Sequence, residues 1–193
     1  MLRNLTLIAA LAAVPIAAPV FAQDVEDGAG PNLIIEVTGE ANGRIVIDMF
    51  DDAAPLHVTQ ITELAEEGAY DNVVFHRVIE GFMAQTGDVQ FGKADNLGRS
   101  GTGGSDRPDI EAEFSDIPYD RGIVGMARSQ SPNSANSQFF IMFEEGYFLN
   151  GQYTVVGRVI EGMDVVDGIK RGQGQSGAVA GQPDVMQSVT VER

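Results

Sequence analysis

Eight short runs of aliphatic, β-branched and aromatic residues recur along this 193-residue chain, separated by turns that carry glycine and asparagine. They span residues 33–37, 45–50, 73–79, 82–86, 122–127, 138–143, 153–160 and 185–191, with Asn42-Gly43, Glu80-Gly81 and Asn150-Gly151 as turns. Only two segments show a helical period. Residues 55–67 begin at Pro55, a favoured first helical residue, and place Val58, Ile61, Leu64 and Ala65 on one face before Gly68. Residues 163–170 turn Met163, Val166 and Ile169 to one side. A parallel α/β sheet needs a helix between most of its strands, so the pattern predicts a mainly β fold: a closed eight-stranded antiparallel barrel capped by two α-helices.

The first 22 residues stand apart from this rhythm. Arg3 supplies a short positive region, an apolar run follows from Leu5, and Val20-Phe21-Ala22 forms a small-residue cleavage site, the three parts of a secretory signal peptide. The apolar stretch is short for a membrane span, and Pro15 and Pro19 interrupt it. The expectation is a signal peptide over residues 1–22, a polar linker over 23–31 and one domain over 32–193, exported to the periplasm, with no membrane association once cleaved.

Composition narrows the chemistry. No cysteine is present, so there is no disulfide, thiol nucleophile or thiol ligand, and His57 and His76 are the only histidines. No His/Cys metal set can be assembled from them, and neither a spaced calcium loop nor a serine nucleophile elbow is found, so no metal and no cofactor are expected. His76 reads as structural rather than as a base. Without residues 1–22 the chain carries 11 basic against 28 acidic residues, a net charge of −17. Such a surface repels nucleic acid, whose phosphates need clustered Lys and Arg, and favours a soluble monomer. The run Gly101-Thr102-Gly103-Gly104 lacks the Lys-Ser/Thr of a phosphate loop and reads as backbone needing positive φ, inside an irregular stretch over residues 88–109 long enough to shape a site.

One segment needs a chemical explanation: Phe75-His76-Arg77-Val78-Ile79-Glu80-Gly81-Phe82-Met83-Ala84-Gln85-Thr86-Gly87-Asp88. Strand alternation puts Arg77 with Ile79, and Met83 with Gln85, so a guanidinium faces apolar side chains across a tight turn. An ion pair with Glu80 or Asp88 is the structural explanation for such an arginine.

The segment resembles the central motif of the cyclophilins, and the likeness continues through Gly122-Ile123-Val124-Gly125-Met126-Ala127, Ser137-Gln138-Phe139-Phe140-Ile141 and Phe148-Leu149-Asn150-Gly151-Gln152-Tyr153-Thr154-Val155-Val156-Gly157, in the family's order over residues 32–192. This resemblance implies a peptidyl-prolyl cis/trans isomerase acting on proline-containing polypeptides. It places the catalytic arginine on Arg77 and the proline pocket on Phe82, Met83, Phe140 and Leu149, with Phe148 and Tyr153 on the rim and wall. Gln85 and Gln138 match polar residues beside the peptide carbonyls, and Ala127-Arg128 the strand whose backbone pairs with the ligand. Three positions depart from the commonest eukaryotic pattern: Phe148 stands for a tryptophan, Tyr153 for a histidine and Arg128 for an asparagine. Phe148 lacks an indole N–H donor, so a ligand that relies on it, such as cyclosporin, is expected to bind weakly. The change at Arg128 matters least if the contact there is through main chain, and its guanidinium is also able to recruit acidic ligand residues.

The rival expectation is a proline-peptide-binding chaperone or scaffold module with little turnover. Arg77 argues against it, because gripping a proline ring needs only the apolar pocket.

Overall fold

A computed structural model describes residues 27–193; the expected signal peptide and residues 23–26 lie outside the described residues. Nine strands and two α-helices follow in chain order: β1 (Asn32–Thr38), β2 (Gly43–Met49), α1 (Pro55–Glu66), β3 (Val73–Val74), β4 (Arg77–Ile79), β5 (Met83–Thr86), β6 (Ile123–Met126), β7 (Phe139–Met142), β8 (Val155–Glu161), α2 (Met163–Gly168) and β9 (Val185–Glu192). All nine strands form one sheet in the order β3-β9-β1-β2-β8-β6-β7-β5-β4, every pairing antiparallel.

This corrects the expected closed barrel of eight strands. The run 73–79, read from sequence as one strand, is two short strands at opposite edges of the sheet, and no ladder joins them. The curled sheet stays open there. Its backbone groups are satisfied by the segment before β9 instead: Phe75 donates to the Asp184 carbonyl at 2.9 Å, Val78 to Gly177 at 2.8 Å, and Val179 donates back to His76 at 3.1 Å. A buried amide must find a partner, and here an irregular segment supplies it.

The strands form because their alternating apolar residues can all face one interior. Leu33, Ile35 and Val37 of β1 and Ile45 and Ile47 of β2 are buried and paired, Leu33 with Ile47 and Ile35 with Ile45. They join Phe75, Val78, Phe139, Ile141, Val156 and Val189 in the main core. Burying a side chain of this size stabilises the fold by about 1.5–3 kcal/mol. α1 lays Val58, Ile61, Leu64 and Ala65 on that core and packs on β9.

The start of α1 is completed from outside the helix. Its N-cap residue, Ala54, has no side-chain oxygen to offer; Glu113 accepts the N–H of Leu56 at 3.0 Å, the N–H of His57 at 3.1 Å and the His57 Nδ1 hydrogen at 2.6 Å. A second, smaller apolar cluster joins Met83, Tyr119, Ile123, Phe140, Met142, Leu149 and Val155 on the other side of the sheet. The site is built there.

Candidate active site

The site rests on one row of residues running across the sheet. Arg77 in β4 pairs with Gln85 in β5, Gln85 with Phe140 in β7, and Phe140 with Gly125 in β6. Directly paired residues share a face, so the register alone puts an arginine, an amide and a phenyl ring side by side. One row over, Ile79 pairs with Met83 and Met83 with Met142, which surrounds the arginine with apolar side chains. The β4–β5 turn leaves Glu80, Gly81 and Phe82 outside the strands, and Gly81 takes the left-handed φ of +67° that closes it. Phe82 therefore belongs to the turn, one residue before the strand expected to carry it.

A cavity of about 320 Å³ opens over this row, lined by Arg77, Phe82, Met83, Gln85, Ala127, Arg128, Phe140, Phe148, Leu149 and Tyr153. Ten of the eleven residues singled out from the sequence thus converge on one hollow. The eleventh, Gln138, lines a neighbouring polar hollow of about 260 Å³ that shares Gln85, Ala127 and Arg128 with the first and is walled by Thr102 and Gly103. Phe148 is two-thirds exposed on the rim, its ring 5.5 Å from that of Phe82; Tyr153 meets Phe140 edge-on at 6.0 Å.

The guanidinium of Arg77 is held by neutral acceptors. Its Nε donates to the Ser176 carbonyl at 3.0 Å and its Nη1 to Gln85 Oε1 at 3.2 Å, with Met83 Sδ 3.8 Å away. The ion pair considered from sequence is not formed. Glu80 is bonded to Arg171 instead, and the Asp88 carboxylate is taken up by the backbone N–H groups of Gln90, Phe91, Gly101 and Gly103 at 3.2, 2.8, 2.7 and 3.0 Å. Among the described residues no carboxylate forms an ion pair with Arg77.

The arginine is held in place through a relay of amides. Gln85 Nε2 donates to Gln138 Oε1 at 2.9 Å, and Gln138 Nε2 donates to the carbonyls of Gly101 and Gly103 at 3.2 and 2.8 Å. Asp88, fully buried, therefore pins the glycine loop whose carbonyls orient Gln138, then Gln85, then the arginine. Gly101 has the positive φ expected of this run, +89°, and a Cβ there would meet His76 Cδ2 at 2.7 Å. Burial holds the His76 imidazole below its ordinary value of 6.5, against the opposing charge of Asp88, so it packs as a neutral ring.

Arg128 is held against the pocket wall. Its Nε and Nη2 donate to the Gln152 carbonyl at 3.2 and 2.9 Å, its Nη1 to Ser129 at 2.9 Å and Gln130 at 3.4 Å, and the guanidinium lies 4.3 Å from the centre of the Tyr153 ring. These donors are spent on backbone carbonyls, so Arg128 clamps the pocket wall. Strand β6 ends at Met126, and the Ala127 N–H already donates to Gln138 at 2.9 Å.

Sequence reasoning missed Asp88 as the anchor of the glycine loop. The signal that was available is an acid at the start of the long irregular stretch 88–109, because short acidic side chains organise turns by accepting backbone N–H bonds. Nothing in the sequence marks the Ser176 carbonyl, which lies 99 positions from the arginine it holds. Among the described residues no group of three or more His, Cys, Asp or Glu side chains could hold a metal ion, and no helix is long and apolar enough to cross a membrane.

Comparison with known proteins places these features in a family. Residues 33–191 match the family model described as cyclophilin type peptidyl-prolyl cis-trans isomerase/CLD. A probable peptidyl-prolyl cis-trans isomerase of Brucella suis is 59% identical over 155 residues, which are 78% of this chain and 79% of that protein. Peptidyl-prolyl cis-trans isomerase B of Escherichia coli is 38% identical over 162 residues, 78% of this chain and 94% of that protein. Among solved structures, the cyclophilin AquaCyp293 of Hirschia baltica is similar with a TM-score of 0.67 at 28% identity, covering 82% of this chain and 73% of that one. A Cryptosporidium parvum cyclophilin type isomerase, crystallised in the presence of the dipeptide Ala-Pro, gives 0.71 at 26% identity over 84% of this chain and 99% of its own. With the fold and nearly all of the described sequence in agreement, the chain belongs to the cyclophilin-type peptidyl-prolyl cis-trans isomerases and accelerates rotation about X-Pro bonds.

Proposed function

We propose that Arg77 is the catalytic residue of this isomerase and acts on the amide only when it is twisted. The observation that carries this reading is an arginine in a cavity beside the apolar side chains of Phe82, Met83, Phe140 and Leu149, held by an amide oxygen and a backbone carbonyl, with no ion-pair partner among the described residues. X-Pro rotation is slow because amide resonance gives a barrier of about 18–20 kcal/mol. Twisting ends the resonance and returns a lone pair to the prolyl nitrogen. A guanidinium that donates to that nitrogen binds the twisted state and not the planar ground state, which is the condition for catalysis. Arginine stays charged at any working pH and holds its donors in a rigid fork.

One positioned donor typically supplies about 3–4 kcal/mol. Bringing a ~100 s process into the millisecond range takes five decades, or about 7 kcal/mol. The remainder falls to the pocket. Phe82, Met83, Phe140 and Leu149 grip the proline ring and move the amide out of water, which favours the less polar twisted form. Phe148 and Tyr153 form rim and wall, Gln85 orients the guanidinium, and Ala127, Arg128 and Gln138 border the path of the peptide. The Ala-Pro dipeptide present with the Cryptosporidium parvum relative supports proline peptides as the occupants of this hollow.

The test is isomerisation of a short X-Pro peptide by exchange NMR. Wild-type protein is expected to be active, and Arg77→Ala to lower kcat/KM by about two to three decades, the effect of losing one positioned donor, with peptide affinity and melting temperature changing far less. An Arg77→Ala protein that isomerises at the wild-type rate would overturn the mechanism; one that unfolds would make Arg77 a structural residue.

The signal-peptide pattern over residues 1–22 supports export to the periplasm. Intact-mass measurement of the exported protein is expected to give an N-terminus at Gln23, and retention of residues 1–22 would exclude it.

A further inference from the structure

The row of residues that builds the site has a gap in it. Arg77, Gln85 and Phe140 each present a side chain, but the next residue in the row, Gly125, has none. The space is filled from outside the sheet. Tyr119, in the loop before β6, lays its ring against that of Phe140 with centroids 5.8 Å apart and planes 20° from parallel. It is fully buried, and it belongs to the same apolar cluster as Met83, Phe140 and Leu149. Fit at this point is tight: a Cβ on Gly125 would lie 2.4 Å from the Tyr119 hydroxyl and 2.6 Å from Phe140 Cζ.

Residue 119 also holds a second wall of the pocket. Its carbonyl accepts the Gly146 N–H at 2.7 Å, and its N–H donates to Asn150 Oδ1 at 2.9 Å. These two bonds bracket the short 3-10 turn Tyr147–Leu149, which carries Phe148 to the rim and Leu149 into the pocket. Three lining residues, Phe140, Phe148 and Leu149, therefore depend on one residue that is not among those lining the hollow.

The hydroxyl shows that the ring, and not the polar group, is what the site uses. It has no hydrogen-bond partner among the described residues, although it is buried. An orphaned buried donor costs about 1–3 kcal/mol, so it is tolerated here rather than useful. An aromatic plate contributes through area and geometry: a stacked pair adds about 0.5–1.5 kcal/mol beyond its burial and fixes the partner's plane.

We propose that Tyr119 is a positioning residue for proline recognition: its ring supports Phe140 from below through the space left by Gly125, and its backbone sets the turn that presents Phe148 and Leu149. This rests on the pocket being the proline site. Substrate never touches Tyr119, so its loss weakens the grip on proline while Arg77 keeps its donors.

The experiment compares Tyr119→Phe, Tyr119→Leu and Gly125→Ala with wild type by exchange NMR over a range of X-Pro peptide concentrations, at a temperature where circular dichroism shows each protein folded. Tyr119→Phe keeps the plate and drops the orphaned hydroxyl; its kcat/KM is expected within about twofold of wild type, with an equal or higher melting temperature. Tyr119→Leu removes the plate and is expected to raise KM about tenfold while kcat changes less than threefold, a split that general loss of stability would not produce. Gly125→Ala pushes on the same contact from the opposite side and is expected to raise KM several-fold, which keeps the proposal testable if Tyr119→Leu does not fold. Wild-type KM and kcat in a folded Tyr119→Leu or Gly125→Ala protein would overturn it, as would a Tyr119→Phe protein as impaired as Tyr119→Leu. Failure of the proline-site reading is seen separately, as an X-Pro peptide titration of the wild-type protein that leaves the NMR signals of Phe82, Met83 and Leu149 unmoved.

Discussion

At the scale of single residues, the fork geometry of Arg77 separates a positioned donor from a nearby charge. Two of its nitrogens are engaged in different directions, Nε toward Ser176 and Nη1 toward Gln85, and this fixes the plane of the guanidinium. A lysine in its place keeps the charge but has a single flexible ammonium. Arg77→Lys is therefore expected to recover less than tenfold of the activity lost in Arg77→Ala, as measured by kcat/KM on the same X-Pro peptide. Full recovery would mean that charge alone suffices. Arg77, Met83, Gln85 and Phe140 sit on strands, where alternation dictates the face; the remaining site residues lie in turns and strand flanks and were placed by the family resemblance. Tyr119 and Asp88 were not legible in the sequence, since both lie in loops and act on pocket residues through contacts that no period reports.

At the scale of elements, α1 depends on a residue from a distant loop. Glu113 supplies the capping acceptors that Ala54 cannot, and its carboxylate also takes the Nδ1 hydrogen of the fully buried His57. The Glu113 N–H in turn donates to Thr154 Oγ1 at 3.0 Å, next to the pocket wall at Tyr153. Removing an N-cap acceptor costs about 0.5–2 kcal/mol, and leaving a buried imidazole N–H unpaired adds about 1–3 kcal/mol. Glu113→Ala is expected to lower stability by about 2–3 kcal/mol in urea unfolding, with the m-value unchanged; a loss under about 0.5 kcal/mol would show that water replaces the cap. The helix itself was legible from Pro55 and its apolar face. Its cap was not, because the acceptor stands 56 positions away from the residue it serves.

At the scale of the whole molecule, the two histidines give stability a dependence on pH with a defined sign. Burial holds both His57 and His76 below the ordinary 6.5; Glu113 opposes this at His57 and Asp88 at His76, without reversing it. The unfolded chain therefore binds more protons than the folded one just below pH 6.5. Their contribution to stability is complete above the unfolded value and is lost as pH falls toward the folded values. Asp48 has the opposite sense: burial raises its folded value above 3.8, so its contribution is present at low pH and lost as pH rises through that value. The large negative charge also repels itself less as acid is added, which works against the histidines. Melting temperature is therefore to be compared between wild type and His57→Gln from pH 7.5 to 5. The wild-type protein is expected to lose more stability over this range than the variant, and identical profiles would show that His57 does not titrate on unfolding in this window.

The sequence by itself determined the sheet-rich class and both helices, because period-two and helical burial patterns are local properties that neighbouring residues impose on one another, while the lining of the pocket was legible through the family resemblance. It also supported the family resemblance that the comparisons bear out. Closure of the sheet was decided only by tertiary structure. Residues 73–79 look like one strand locally, yet the segment that supplies backbone partners to Phe75, His76 and Val78 comes from residues 177–184, so the run divides and its halves end at opposite edges. The same holds for the parts of the site that are held rather than exposed: the Ser176 carbonyl behind Arg77, the Asp88 anchor of the glycine loop and the Tyr119 ring beneath Phe140. Each joins positions far apart in the chain, and such contacts exist only once the sheet has curled and brought its loops together.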